Sequence, residues 1–284
     1  MKRILAFLLV PLLSLSAFAC GTPGIEIEQD NYAAIIERGY VVVGLECQYA
    51  PFNWTVNAAD RGETAVLIDG TDAYCDGYDV VVAQAVATHL GVDLVVKAID
   101  WDGLIPSLAV NGRIDLIIAG MSPTPERAET VAFSSEYYRS THVVVVRADS
   151  AFADATSILG FTGAKVVGQL GTIYDDLIPQ MTGALHENPL SDVPTIVTSI
   201  KSGINDATVL ERPVAVAIIA GNPELAFIDF LPGSGFVVDD ADAAVAIAVR
   251  QADVTLLAAV NAALAAISAE TREGWMLSAI DRQP

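Results

Sequence analysis

Residues 114–119 are apolar at every position except Asp115. A strand with one face in water alternates apolar and polar residues, whereas one that is apolar throughout has to be covered on both faces. Similar runs recur at 41–44 and 245–249. Between them lie stretches of helical character, one over 78–90 that Gly91 closes as a left-handed terminus, and one over 104–110 that stops near Gly112. A further strand is expected at 93–98. Covered strands separated by helices place the chain in the α/β class.

A second series of the same kind begins near residue 151. It reads as a strand at 165–169, a helix at 173–181, a strand and turn at 195–200, and apolar β or mixed character at 207–210 and 214–218. An Ala-rich helix is expected at 256–267. A length of 284 residues suits two such units. The polar segment 54–75, with Gly62 and Gly70, reads as a surface excursion.

The chain begins with Lys2 and Arg3, an apolar run over 4–15 and small residues at Ala17 and Ala19. This is the pattern of an export signal over 1–19, too short to span a bilayer comfortably. Cys20 follows at once, and a flexible tether is expected over 20–35. Two outcomes fit: acylation of Cys20, which would anchor the protein at the outer face of the cytoplasmic membrane, or ordinary cleavage after Ala19, which would free it into the periplasm. In an oxidising compartment the other two cysteines, Cys47 and Cys75, are expected to pair. The formal charge is −20, and two units more negative without Lys2 and Arg3. Nucleic acid and anionic membrane surfaces are poor partners for such a chain.

The most informative local pattern is AGMSPTPER at 119–127, where a strand ends and a helix begins. Thr124 suits an N-cap, and Pro125 suits the first helical position. The main-chain N–H groups of such a start, the Ser122 hydroxyl and the planar fork of Arg127 all match a carboxylate. Gly120 lets a ligand approach the backbone, and Met121 lies between these positions on the same turn. A second strand-to-helix turn, QLGTIY at 169–174, offers Thr172 and the amide of Ile173. Glu46, Tyr49 and Trp101 lie just beyond strand ends, where α/β sheets usually bind ligands, and Glu211 follows another apolar run. His89, His142 and His186 are widely spaced in sequence, so no metal, cofactor or catalytic cluster is expected.

Taken in order, GLECQYAPFNW at 44–54, GYDV at 77–80, WDGLIP at 101–106, GRIDLIIAGMSPTPER at 112–127, FSSEYY at 133–138, QLGT at 169–172 and VLERP at 209–213 resemble the bacterial extracellular solute-binding proteins of family 3, the polar amino-acid-binding components of ABC importers. The resemblance implies a two-lobed periplasmic-binding-protein fold of type II, with two α/β lobes joined by a two-strand hinge. Lobe 1 takes 36–143 and 233–284, and lobe 2 takes 144–232. Arg127 then matches the clamp on the ligand's α-carboxylate, with Gly120 and Ser122 beside it and Thr172 and Ile173 facing it from lobe 2. Glu211 stands where the family usually has Asp to hold the α-ammonium. Tyr49 and Trp101 match the aromatic pair around the ligand side chain, and Glu46 matches an acidic position at its far end. The implied ligand is a free L-amino acid with a basic or amide side chain (arginine, lysine or glutamine-like), and the implied partner is an ABC permease served by a monomeric, non-enzymatic receptor. Two other readings share the fold: a cyclohexadienyl-dehydratase-like enzyme using Glu46 or Glu211 as general acid, and a stand-alone ligand-sensing receptor.

Overall fold

The computed structural model describes residues 30–110 and 112–283. The export signal, Cys20 and the first part of the tether lie outside the described residues.

The first sheet has the order Asp93–Ala98, Tyr40–Leu45, Leu116–Ile117, Ala244–Arg250, Val131–Arg139. The first three strands are parallel, and Ala244–Arg250 runs antiparallel to both of its neighbours. Both faces of this sheet are covered. Val41, Val43 and Leu45 pack into one cluster with the helix Tyr78–Leu90, while Val42 points the other way into a cluster with Leu104 and Leu108. Residues 114–119 split likewise, Leu116 and Ile118 to one side and Ile114, Ile117 and Ala119 to the other. Only Leu116–Ile117 forms a regular ladder, a shorter strand than the apolar run suggests.

Asp115, the single polar residue in that run, is 4% exposed. It accepts from the Val42 amide at 2.7 Å and pairs with Arg38. Arg38 ends the helix Tyr32–Arg38, whose Ile35 is fully buried. Residues 30–35, which the sequence assigns to the tether, are therefore part of the folded lobe. Asp30 and Asn31 are tied down as well, the Asn31 amide donating to Asp253 at 2.8 Å.

The second sheet has the order Leu185–His186, Lys165–Val166, Ala207–Glu211, His142–Arg147, Leu225–Ile228. Segment 195–200 lies not in a strand but in the helix Val193–Lys201. Its β-branched residues suggest β, but Asp192 caps the helix by accepting from the Thr195 amide at 2.8 Å, and Val193, Ile196 and Ile200 recur at helical spacing on the buried face. Segment 214–218 belongs to the helix Arg212–Gly221, which starts with Pro213 in its first turn. The helix 173–181 is shorter than expected, an α-helix over Ile173–Leu177 continued by a 3-10 turn. A final helix, Ala269–Arg282, is capped by the Ser268 hydroxyl and follows Val254–Ala265.

Segment 54–75 is not a plain loop. Gln48–Tyr49, Asn53–Val56, Tyr74–Asp76 and Val66–Leu67 form a small antiparallel sheet, and a disulfide joins Cys47 to Cys75 with their Cα atoms 5.7 Å apart. Its strands are only two to four residues long, too short to show a periodicity in the sequence.

The chain leaves the first sheet along Val131–Arg139 and enters the second along His142–Arg147, and it returns between Ile228 and Ala244. The two passages touch, the Ser140 amide donating to the Ala243 carbonyl at 3.0 Å. The two sheets are thus joined by two short neighbouring crossings, the arrangement of a hinge.

Candidate functional site

The site lies between the two sheets, at the ends of their strands. Glu46 and Tyr49 follow the strand Tyr40–Leu45, and the loop that carries them is anchored from below. The Cys47 amide donates to the Asn53 side chain at 2.6 Å, and Asn53 donates to Asp79 at 2.8 Å. The Tyr137 hydroxyl donates to the other Asp79 oxygen at 2.6 Å and accepts from the Gly120 amide at 3.2 Å. Asp79 has no exposed surface, and burial raises its carboxyl to about 6 although the Tyr137, Asn53 and Gly120 bonds pull it down. One buried network thus sets the Glu46–Tyr49 loop and the Gly120 turn relative to each other. Gly120 sits at φ +64, and a side chain there would meet the Tyr49 ring at 3.2 Å.

Four contacts join the lobes across the site. The Tyr49 hydroxyl donates to Glu211, and Gln169 donates to Glu46 Oε1 at 2.9 Å. The Gly171 carbonyl accepts twice, from Trp101 Nε1 at 2.9 Å and from Arg127 Nη2 at 3.2 Å. Arg127 also donates to the Ser122 carbonyl at 2.8 Å, and its guanidinium lies 5.2 Å from the Trp101 ring centroid. Burial lowers the Arg127 pKa from its ordinary value.

The expected site residues other than Ser122 and Glu211 divide into two groups. Glu46, Tyr49, Trp101, Gly120 and Thr172 line one small enclosed space together with Gln169 and Tyr174. Its free volume is about 10 Å³, room for one water at most, so a free amino acid enters only when the lobes part. Arg127, Met121 and Ile173 face a larger interlobe groove of about 790 Å³, which Trp101 also lines. Met121 packs its side chain, 1% exposed, into the core, and its carbonyl accepts from the Ala246 amide. Ile173 is likewise mostly a core residue. The Thr172 hydroxyl donates to the Gln169 carbonyl at 2.8 Å, and Ser122 Oγ donates weakly to the Asp242 carbonyl at 3.3 Å. Both hydroxyls must turn before they can donate to a ligand.

Thr124 caps its helix as expected, accepting from the Arg127 amide at 3.3 Å. That helix, Pro125–Ala128, is only four residues long, so the cap positions Arg127 but supplies little macrodipole.

Glu211 is 2% exposed, and its Oε1 has no hydrogen-bond partner. Burial pushes its carboxyl up to about 7, against the pull of Tyr174 and Tyr49. Glu46 is raised to about 7 as well, by burial first, with Asp192, Asp100 and Asp102 adding to the rise and Gln169 opposing it. Tyr174 and Gln169 are missing from the sequence-derived set. Each lies within three residues of Thr172 or Ile173, but their aim into the cleft depends on how the lobes meet. Among the described residues no group of His, Cys, Asp and Glu has the arrangement of a metal site.

The sequence profile of bacterial extracellular solute-binding proteins, family 3, matches residues 41–274. The arginine-binding extracellular protein ArtP of Bacillus subtilis (strain 168) is 30% identical over 86% of this chain and 83% of its own length. The L-cystine-binding protein TcyJ of Escherichia coli (strain K12) is 28% identical over 92% of this chain and 87% of its own length. Among solved structures, an amino acid ABC transporter substrate-binding protein from Streptococcus pneumoniae Canada MDR_19A bound to L-arginine superposes with a TM-score of 0.76 at 27% identity, covering 89% of this chain and 98% of that one.

Proposed function

Because the chain belongs to the bacterial extracellular solute-binding proteins of family 3, we propose that it closes its two lobes around a free polar amino acid and hands it to an ABC permease. The observation that carries this reading is Glu211 Oε1, a buried acceptor without a donor, on a carboxyl that Tyr49 reaches from the other lobe. Such an atom is costly unless a ligand donor reaches it. An α-ammonium group supplies that donor. Arg127, on the opposite lobe, supplies the matching cation for the α-carboxylate once it releases the Gly171 carbonyl. The zwitterion then meets complementary charge at each end, with its side chain between Tyr49 and Trp101 and pointing to Glu46. The open form binds on the Arg127 lobe, and Glu211 and Thr172 close over the ligand by rotation about the two crossing strands.

The reading places the protein outside the cytoplasm, held by acylated Cys20. Its test is a thermal-shift screen against the common L-amino acids. A ligand at about 100 times its Kd stabilises by about 2.7 kcal/mol, which is an easily read rise in Tm. If no amino acid raises Tm, the reading fails.

A second reading is favoured by one observation, the raised carboxyl of Glu211 at about 7 beside the Tyr49 hydroxyl. A buried carboxyl with that value can pass a proton to a leaving group near neutral pH. This is what a dehydratase of the cyclohexadienyl type requires. Appearance of aromatic product from prephenate or arogenate, abolished by Glu211→Gln, supports it; no turnover removes it.

A further inference from the structure

Among the described residues, Cys47 is the one non-glycine residue with a positive φ, +57. A left-handed residue that carries a Cβ is strained, because the Cβ crowds the following carbonyl. Such a conformation persists only where its surroundings hold it. The Cys47 amide donates to the Asn53 side chain at 2.6 Å, and its carbonyl accepts from the Thr55 hydroxyl at 2.9 Å. Its sulfur is bonded to Cys75, which has no exposed surface. Cys75 lies in the strand Tyr74–Asp76, which is paired with Asn53–Val56 on one side and with Val66–Leu67 on the other.

The strained residue sits between two residues of the cleft. Glu46 comes one position before Cys47, and Tyr49 comes two positions after it. Side chains three positions apart in a straight strand point to opposite faces. In the structure Glu46 and Tyr49 line the same enclosed space. Both also reach the other lobe, Glu46 by accepting from Gln169 at 2.9 Å and Tyr49 by donating to Glu211. The left-handed turn at Cys47 lets the chain present both on one side. Glycine would make that turn without strain, but as one of several open conformations. A cysteine bonded to a buried strand keeps the turn and gives up the freedom.

We infer, resting on the amino-acid-binding reading above, that Cys47 and Cys75 are positioning residues for ligand recognition. Their bond holds the left-handed turn that aims Glu46 and Tyr49 into the cleft, so it sets affinity as well as stability.

Two double variants of the full chain separate this role from plain cross-linking. One is Cys47→Gly, Cys75→Ala and the other is Cys47→Ala, Cys75→Ala. Both lack the disulfide, and they differ by one methyl group at position 47. A lost cross-link affects them alike, and a lost buried methyl makes the glycine variant the worse of the two. The turn demands the reverse order, since alanine is strained at a positive φ and glycine is not. Sucrose in every sample keeps both variants folded. Calorimetry with L-arginine, or with L-cystine if arginine gives no heat, is expected to place the glycine variant within about fivefold of the native protein. The alanine variant is expected at least about tenfold weaker than the glycine variant. Hydrogen exchange of the peptide 46–52, read by mass spectrometry with no amino acid added, should be slowest in the native protein and fastest in the alanine variant. Equal exchange in the two variants, or alanine binding as tightly as glycine, overturns the inference and leaves the amino-acid reading standing. If no common amino acid binds the native chain, it is the amino-acid reading that falls, and the link from the turn to affinity falls with it. The exchange order still decides the turn itself.

Discussion

Asp79→Ala tests the network that joins the two halves of the site. Asp79 is fully buried and accepts from Tyr137 at 2.6 Å and from Asn53 at 2.8 Å. Truncation removes both bonds and strands a hydroxyl and an amide in the core, at about 1–3 kcal/mol for each orphaned group. An opposing effect is that burial raises the Asp79 carboxyl from 3.8 to about 6. For an acid whose folded pKa is raised, the stabilising contribution is complete below the unfolded value and is lost as pH climbs through the folded one. The native protein therefore loses stability between about pH 4 and 6 on account of this group, and the variant does not. At 1.36 kcal/mol per unit, the gap between the two proteins narrows by about 2 kcal/mol from about pH 4.5 to about pH 8. We expect Asp79→Ala to cost on the order of 3 kcal/mol at the lower pH and on the order of 1 kcal/mol at the higher. Urea denaturation of both proteins at the two pH values measures this, since Glu46 and Glu211 titrate in both and largely cancel. Ligand affinity should fall at both pH values, because the Tyr137 hydroxyl that receives the Gly120 amide loses its own anchor. A gap that stays constant or widens with pH would refute the assignment of a raised, buried carboxylate.

Arg127→Ala should weaken amino-acid binding by about 100-fold or more in calorimetry, and Arg127→Lys should recover only part of it, because the ammonium lacks the planar fork. Replacing Cys47 and Cys75 with serine opens a loop with a sequence separation of 28 and should cost about 3–4 kcal/mol by the loop-entropy relation, read as a fall in the urea midpoint. Gly120→Ala, strained at φ +64 and pressed against Tyr49 at 3.2 Å, should lower affinity in calorimetry more than it lowers Tm. Since Glu46 and Glu211 are both raised to about 7, their stabilising contribution is complete below about 4.5 and is lost as pH rises through about 7. Affinity for ammonium groups runs the opposite way and strengthens as both ionise. Tm without ligand should fall, and ligand affinity should rise, between about pH 5.5 and 8. Parallel trends would count against it.

Where local signals agree, the fold is legible. Tyr78–Leu90 and Asp93–Ala98 occupy the expected residues, since Gly91 and the apolar pattern mark the same ends. The helix Val193–Lys201 is hidden by its β-branched residues, and only the spacing of Val193, Ile196 and Ile200 reveals it. The small sheet is hidden because strands of two to four residues leave no periodicity to count. The cleft shows the same division. Thr124 and Arg127 are close in sequence, and their cap can be inferred from residue types alone. Tyr49 and Glu211 lie 162 positions apart, so their bond belongs to tertiary structure. Whole-chain resemblance placed both residues at the site, but not their contact, nor the occupation of the Arg127 guanidinium by main-chain carbonyls.

The doubly bonded Gly171 oxygen has a consequence for how this molecule can change over generations. A side-chain acceptor disappears with one codon change, but a peptide carbonyl survives any substitution that keeps the backbone path. Trp101 ends on such an atom, and it can keep that bond when Arg127 releases the same carbonyl to a ligand. The fastening between the lobes is therefore insulated from the variation that retunes Glu46, Gln169 or Asp192. On the amino-acid-binding reading, descendants of this chain can exchange one ligand for another and keep this contact between the lobes.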